Sequence, residues 1–87
     1  MAIAFVHLTI NDYGKWRQVF DSHKDLRDKA GFTDLQVYRN ADNLKEVIVR
    51  GEAADQAKAT QGLSAPEMRA AMQEAGVIGP PRIHWIS

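Results

Sequence analysis

The clearest alternation in the chain is its first nine-residue apolar run, AIAFVHLTI at Ala2–Ile10. Successive side chains point to opposite faces of a strand, so Ala2, Ala4, Val6, Leu8 and Ile10 share one face. Ile3, Phe5, His7 and Thr9 share the other. The first set is wholly apolar. The second begins apolar and ends polar, which suits neither a water-washed face nor ordinary core. It reads as the wall of a semi-polar cavity.

Downstream the period changes from two to 3.6. Asn11-Asp12 offers a helix N-cap, and Trp16, Val19, Phe20, Leu26 and Ala30 follow helical spacing to about Ala30. Gly31 fits the position just past a helix end. His23 falls among charged residues and reads as a surface or rim position, and Trp16 as core. Strands are predicted over Phe32–Arg39 and Leu44–Glu52, joined by a four-residue loop at Asn40-Ala41-Asp42-Asn43. Leu35 and Val37 share a face, as do Val47 and Val49. Gln36, Tyr38, Glu46, Ile48, Arg50 and Glu52 lie opposite; Glu46 and Arg50, four apart, share that face, where they either form an internal ion pair or pair with other residues.

A helix over Ala53–Gly62 follows, then a capping box at Ser64-Ala65-Pro66-Glu67 opens another carrying Met68, Ala71, Met72 and Ala75 on one face. Both methionines read as filling between helix and sheet. Gly76 closes that helix, Val77–Pro81 is a stiff extended connector, and Arg82–Ile86 is a last strand.

The order β-α-β-β-α-β is the ferredoxin-like arrangement: an α+β fold with a four-stranded antiparallel sheet, helices on one face, and the first strand inside beside the third and fourth. The helix-facing set is Val6, Leu8, Ile10, Leu35, Val37, Val47, Val49, Ile83 and Trp85. The opposite face gathers Ile3, Phe5, His7, Thr9, Gln36, Tyr38, Glu46, Ile48, Arg50, Arg82, His84 and Ile86. It is too apolar for water and too polar for core. Two such sheets packed face to face, a homodimer enclosing a lumen, resolve the contradiction.

Length and charge narrow the picture. Eighty-seven residues make one domain, residues 1–87, with a limited core and no cysteine to reinforce it. Oligomerisation is a common remedy for that shortage. Eleven basic residues balance eleven acidic ones, with no basic stripe, so nucleic acid is not an expected partner. No run approaches the length of a membrane helix, and the N-terminal run has no basic leader. The expectation is a cytoplasmic protein without a membrane partner.

Three stretches carry a family resemblance: FVHLTINDYGKWRQVFDSH, VYRNADNLKEVIV and SAPEMRAAMQEAGVIGPPRIHWI. Together they resemble the dimeric α+β barrel superfamily, and within it the antibiotic-biosynthesis-monooxygenase-like group. The resemblance implies a homodimeric barrel acting on an aromatic or polyketide-like small molecule, by oxygenation or cyclisation and without a cofactor. A non-catalytic protein holding a small apolar or aromatic molecule on the same scaffold is the alternative. Haem-degrading members use an Asn–Trp–His constellation with the histidine on a helix. Here the helix-borne histidine is His23, in the first helix, and it does not align with that motif.

The sharpest candidate chemistry is His7 with His84, which fall on one face if the first and last strands are neighbours. A neutral imidazole there is placed to take a proton from a phenol or an activated methylene. Arg50 or Arg82 would steady the resulting anion, and Tyr38 would donate a hydrogen bond. Ile3, Phe5, Thr9, Gln36, Ile48 and Arg82 would line the substrate side. No metal site is expected, although His7, His84 and Glu46 form a conceivable trio.

Overall fold

The computed structural model describes residues 2–86. The chain runs β1 (Ala2–Ile10), α1 (Tyr13–Ser22), α2 (Lys24–Lys29), β2 (Phe32–Asn40), β3 (Asn43–Ala53), α3 (Gln56–Ser64), α4 (Pro66–Glu74) and β4 (Val77–Ile86). The strands form one four-stranded antiparallel sheet in the order β2-β3-β1-β4. This is the expected βαββαβ fold, with β1 inside. Alternation along β1 is complete: Ala2, Ala4, Val6, Leu8 and Ile10 are buried, and the residues between them are not.

The core fills the space between sheet and helices. Val6, Leu8, Ile10, Val47 and Val49 meet Trp16, Ala59, Met68, Ala71 and Ala75, with Leu35, Val37, Ile83 and Trp85 packed at the margin. Small residues at one end of the central strands (Ala4, Gly51, Ala53) let large rings close over them. Phe32 from one edge strand and Trp85 from the other thereby stack at 6.2 Å. Phe32 and Leu35 reach the same face despite odd spacing because Asp34, at φ 54°, sits where the β2–β3 register shifts. A Cβ on Gly51 would stand 2.6 Å from Leu35 Cδ2 and 3.0 Å from Phe32 Cδ1.

Six features of the element boundaries differ from the sequence expectation. The first helix does not run unbroken to Ala30, but breaks at His23. There Ser22 Oγ donates to Val19 O and Arg27 Nη1 donates to Phe20 O, so side chains satisfy carbonyls that continuing helix would have used. The hairpin strands extend to Asn40 and Asn43, leaving only Ala41 and Asp42 between them. Ala53 belongs to β3, and the Asp55 side chain caps α3 by accepting from Lys58 N.

Gly62 does not end α3; it lets the helix pass α2, since a Cβ there would lie 2.4 Å from the Ala30 Cβ. Helix α4 has Ala65 as its N-cap and begins at Pro66, and no side chain caps it, so the Ser64 capping box is not formed. Finally, the connector is strand: Ile78 pairs with Thr9 and Val77 with Ile10. Prolines 80 and 81 are tolerated because β4 is an edge strand and the register shifts between His7 and Thr9.

Candidate functional site

The structure offers two places for chemistry, one on each side of the sheet. The uncovered face holds every residue the sequence nominated. Phe5 sits between Arg50 of β3 and His84 of β4, His7 between Ile48 and Arg82, and Ile3 between Glu52 and Ile86. Thr9 faces Glu46, while Gln36 and Tyr38 on β2 face Arg50 and Ile48.

Their side chains form two separate groups. His7 and His84 approach to 5.3 Å between ring centroids, at an interplanar angle of 58°. His7 Nδ1 is buried without a hydrogen-bond partner and stands 3.6 Å from Glu46 Oε1, whose other oxygen accepts from Asn40 Nδ2 at 3.2 Å. Arg50 does not pair with Glu46. Its Nη1 lies 3.8 Å from Asp34 and 4.0 Å from Glu52. A hydrogen bond with Asp34 raises the Glu52 carboxyl above the usual range, helped by desolvation and by the Asp34 charge and opposed by Arg50. The Tyr38 hydroxyl already donates to Gln36 Oε1, at 2.5 Å. Among the described residues, no group of three or more His, Cys, Asp or Glu is placed to hold a metal ion.

The second place was missed in the sequence. Between helices and sheet lies a cavity of about 90 Å³, partly open to solvent. Trp16, Phe20, Phe32, Leu35, Leu63 and Met72 account for much of its apolar wall, and among the described residues His23 and Arg27 are its only ionisable lining residues. Trp16 and Phe20 stack at 4.8 Å. Trp16 is 2% exposed, so it is core as expected and chamber wall as well.

Arg27 places its guanidinium 3.8 Å from the centroid of the Phe20 ring and donates to Phe20 O. Its Nε is buried with no partner. Burial pulls this guanidinium below its ordinary value; Asp21 and Asp28 oppose that shift, Arg17 adds to it, and Asp25 opposes it. His23, expected at the surface or a rim, lies 3.2 Å from Glu74 Oε1 through Nε2, bridging the α1–α2 break to the end of α4.

A signal for this site was present. Positions 16, 20, 23 and 27 continue one helical stripe, in which two aromatic residues are followed by two nitrogen-bearing side chains. A second hollow of about 280 Å³, between α2 and the α3–α4 pair, is walled partly by Lys29, Lys58, Gln61 and Glu67. Its lining is ordinary protein surface.

No family model matches the chain, and no curated protein matches it. Solved structures do. It superposes on the cofactor-independent oxygenase SnoaB from Streptomyces nogalater with a TM-score of 0.72 at 14% identity, covering 99% of this chain and 91% of that one. A monooxygenase from the gene ActVA-Orf6 of Streptomyces coelicolor, solved with the ligand nanaomycin D, gives 0.65 at 16% identity, over 99% and 85%. A third structure, named as an antibiotic biosynthesis monooxygenase, gives 0.65 at 10% identity, over 100% and 97%. The chain therefore has the α+β fold of the antibiotic biosynthesis monooxygenase structures. At such identities the likeness defines the fold alone.

Proposed function

We propose that this chain is a homodimeric barrel protein that acts on an aromatic small molecule without a cofactor, in the chamber between its helices and its sheet. The observation that carries the reading is the chamber itself. It is an apolar pocket whose ionisable lining groups among the described residues, His23 and Arg27, come from positions four apart at the α1–α2 junction, an arrangement suited to a small-molecule site. A base that removes a proton from an acidic position leaves an electron-rich anion able to react with dioxygen or to cyclise, and a neighbouring cation stabilises it. The solved oxygenases of the same fold support this class of chemistry. The uncovered face, with Ile3, Phe5 and Ile48 half-buried in a lone chain, is the seat for a second copy.

A second reading keeps the chemistry between the paired sheets, with His7 and His84 as acid and base, Arg50, Arg82 and Tyr38 as donors, and Ile3, Phe5, Thr9, Gln36 and Ile48 as walls. The buried, unpartnered His7 Nδ1 favours it.

Oxygen uptake and product analysis with a panel of phenols and naphthols, with no cofactor added, test the proposal. Turnover abolished by Met72→Trp, which fills the chamber, and retained in His7→Ala and His84→Ala is the expected result. The reverse pattern assigns the chemistry to the space between the sheets. Binding without turnover in every protein would make the chain a carrier rather than an enzyme.

A further inference from the structure

The chamber is small and its polarity is one-sided. A closed apolar cavity of about 150 Å³ accommodates one benzene molecule. A space of about 90 Å³ is smaller than that, so it admits at most one ring, part of which stays at the open mouth, and excludes fused rings. The limit is set from both layers. Trp16 and Phe20 stack across the helix side, and Phe32 and Leu35 lean over Gly51 from the sheet side.

The wall carrying His23 and Arg27 is unfinished. Two of the three acidic side chains whose charges act on Arg27 are engaged elsewhere, Asp21 with Arg17 and Asp28 with Lys24. Among the described residues, no ion pair engages Arg27, whose buried Nε has no acceptor. A desolvated guanidinium with an open donor next to an apolar pocket is suited to an anionic oxygen. His23 is held at Nε2 by Glu74, which leaves Nδ1 for a ligand.

Resting on the chamber reading above, we infer that the ligand is a single-ring aromatic bearing an acidic hydroxyl, which this protein binds as its phenolate. The ring enters between Trp16, Phe20 and the sheet, and its oxygen meets Arg27. The step is one proton transfer: the phenol O–H bond breaks, the proton passes to His23 Nδ1, and the electron pair stays on the oxygen facing Arg27. Glu74 then accepts a hydrogen bond from Nε2–H of the imidazolium and so positions the base. Arg27, Glu74, Asp21, Asp25, Asp28 and Arg17 are the charged groups whose fields act on this wall.

The test is equilibrium binding of para-nitrophenol, toluene and alizarin, read by tryptophan fluorescence and by the absorption band of the nitrophenolate. Para-nitrophenol should bind more tightly than toluene, and its phenolate band should appear at a lower pH than for the free dye. Arg27→Met should shrink the para-nitrophenol to toluene affinity ratio by about tenfold to a hundredfold, with Arg27→Lys between it and the wild type. His23→Gln should remove most of the shift in the band, and Glu74→Gln part of it.

Equal affinity for toluene and para-nitrophenol, or a ratio untouched by Arg27→Met in a folded protein, would overturn the phenolate inference alone. Alizarin binding as tightly as the single ring would overturn the size limit. If no ring binds, or if binding survives Met72→Trp, the chamber reading itself is wrong.

Discussion

The two faces of one sheet make opposite use of the same strands. On the helix side, Ala4, Val6, Leu8, Ile10, Val47 and Val49 are each no more than 7% exposed, and no polar residue is buried among them. On the other side, half-buried Ile3, Phe5, His7 and Ile48 are interleaved with charges, while Tyr38 and Ile86 stand about half exposed. Period-two alternation creates both faces at once, so the difference between them is set by what covers each. Helices complete the first face except at one hole. The second face has the chemistry of an interface, and in the proposed dimer a second copy covers it.

The largest expected effect distinguishes the faces by stability. Trp16→Ala removes a buried aromatic side chain and should cost about 3–5 kcal/mol, a large part of the roughly 5–15 kcal/mol typical of a folded domain. Urea unfolding measures it. Next comes association. Phe5→Asp places a charge on the uncovered face and should weaken the dimer at least about a hundredfold, as burying an unpaired charge is costly. Light scattering after size exclusion would show a monomer whose far-ultraviolet circular dichroism is unchanged; a persisting dimer would locate the interface elsewhere.

A finer effect returns to the helix layer. Gly62→Ala would bring a Cβ to 2.4 Å from the Ala30 Cβ and 3.1 Å from its Cα, so α3 must move off α2. The cost should be about 1–3 kcal/mol, read as a lowered Tm. The smallest effect is a pH dependence on the uncovered face. Glu52 has its folded pKa raised by the Asp34 hydrogen bond, so its contribution is full below the unfolded value and is lost as pH rises through the folded one. Relative to Glu52→Gln, the wild type should therefore lose stability as pH climbs through and just above the carboxylate range. Parallel stability–pH curves for the two proteins would contradict this.

The fold was legible because β1 carries an unbroken alternation and the helices carry unbroken stripes. Its boundaries were less so, since they depend on contacts between elements. Gly62 resembles a helix stop until α3 is seen passing Ala30, at the end of α2. Asp34 gives no sequence warning of the register shift that brings Phe32 and Leu35 together. Among candidate site residues, those on strands were placed on the correct face by parity alone, but parity says nothing of partners. Arg50 turned out to engage Asp34 and Glu52 rather than Glu46. The chamber escaped notice for another reason: its walls look like core, and its polar members follow an apolar stripe across the helix break at His23.

Native mass spectrometry of the purified protein, with and without para-nitrophenol, tests the two-face account most directly. The account predicts a dimer of twice 9.7 kDa that takes up one para-nitrophenol per protomer, one in each helix–sheet chamber. A monomer at micromolar concentration, or a dimer that takes up only one molecule between its two sheets, would contradict it.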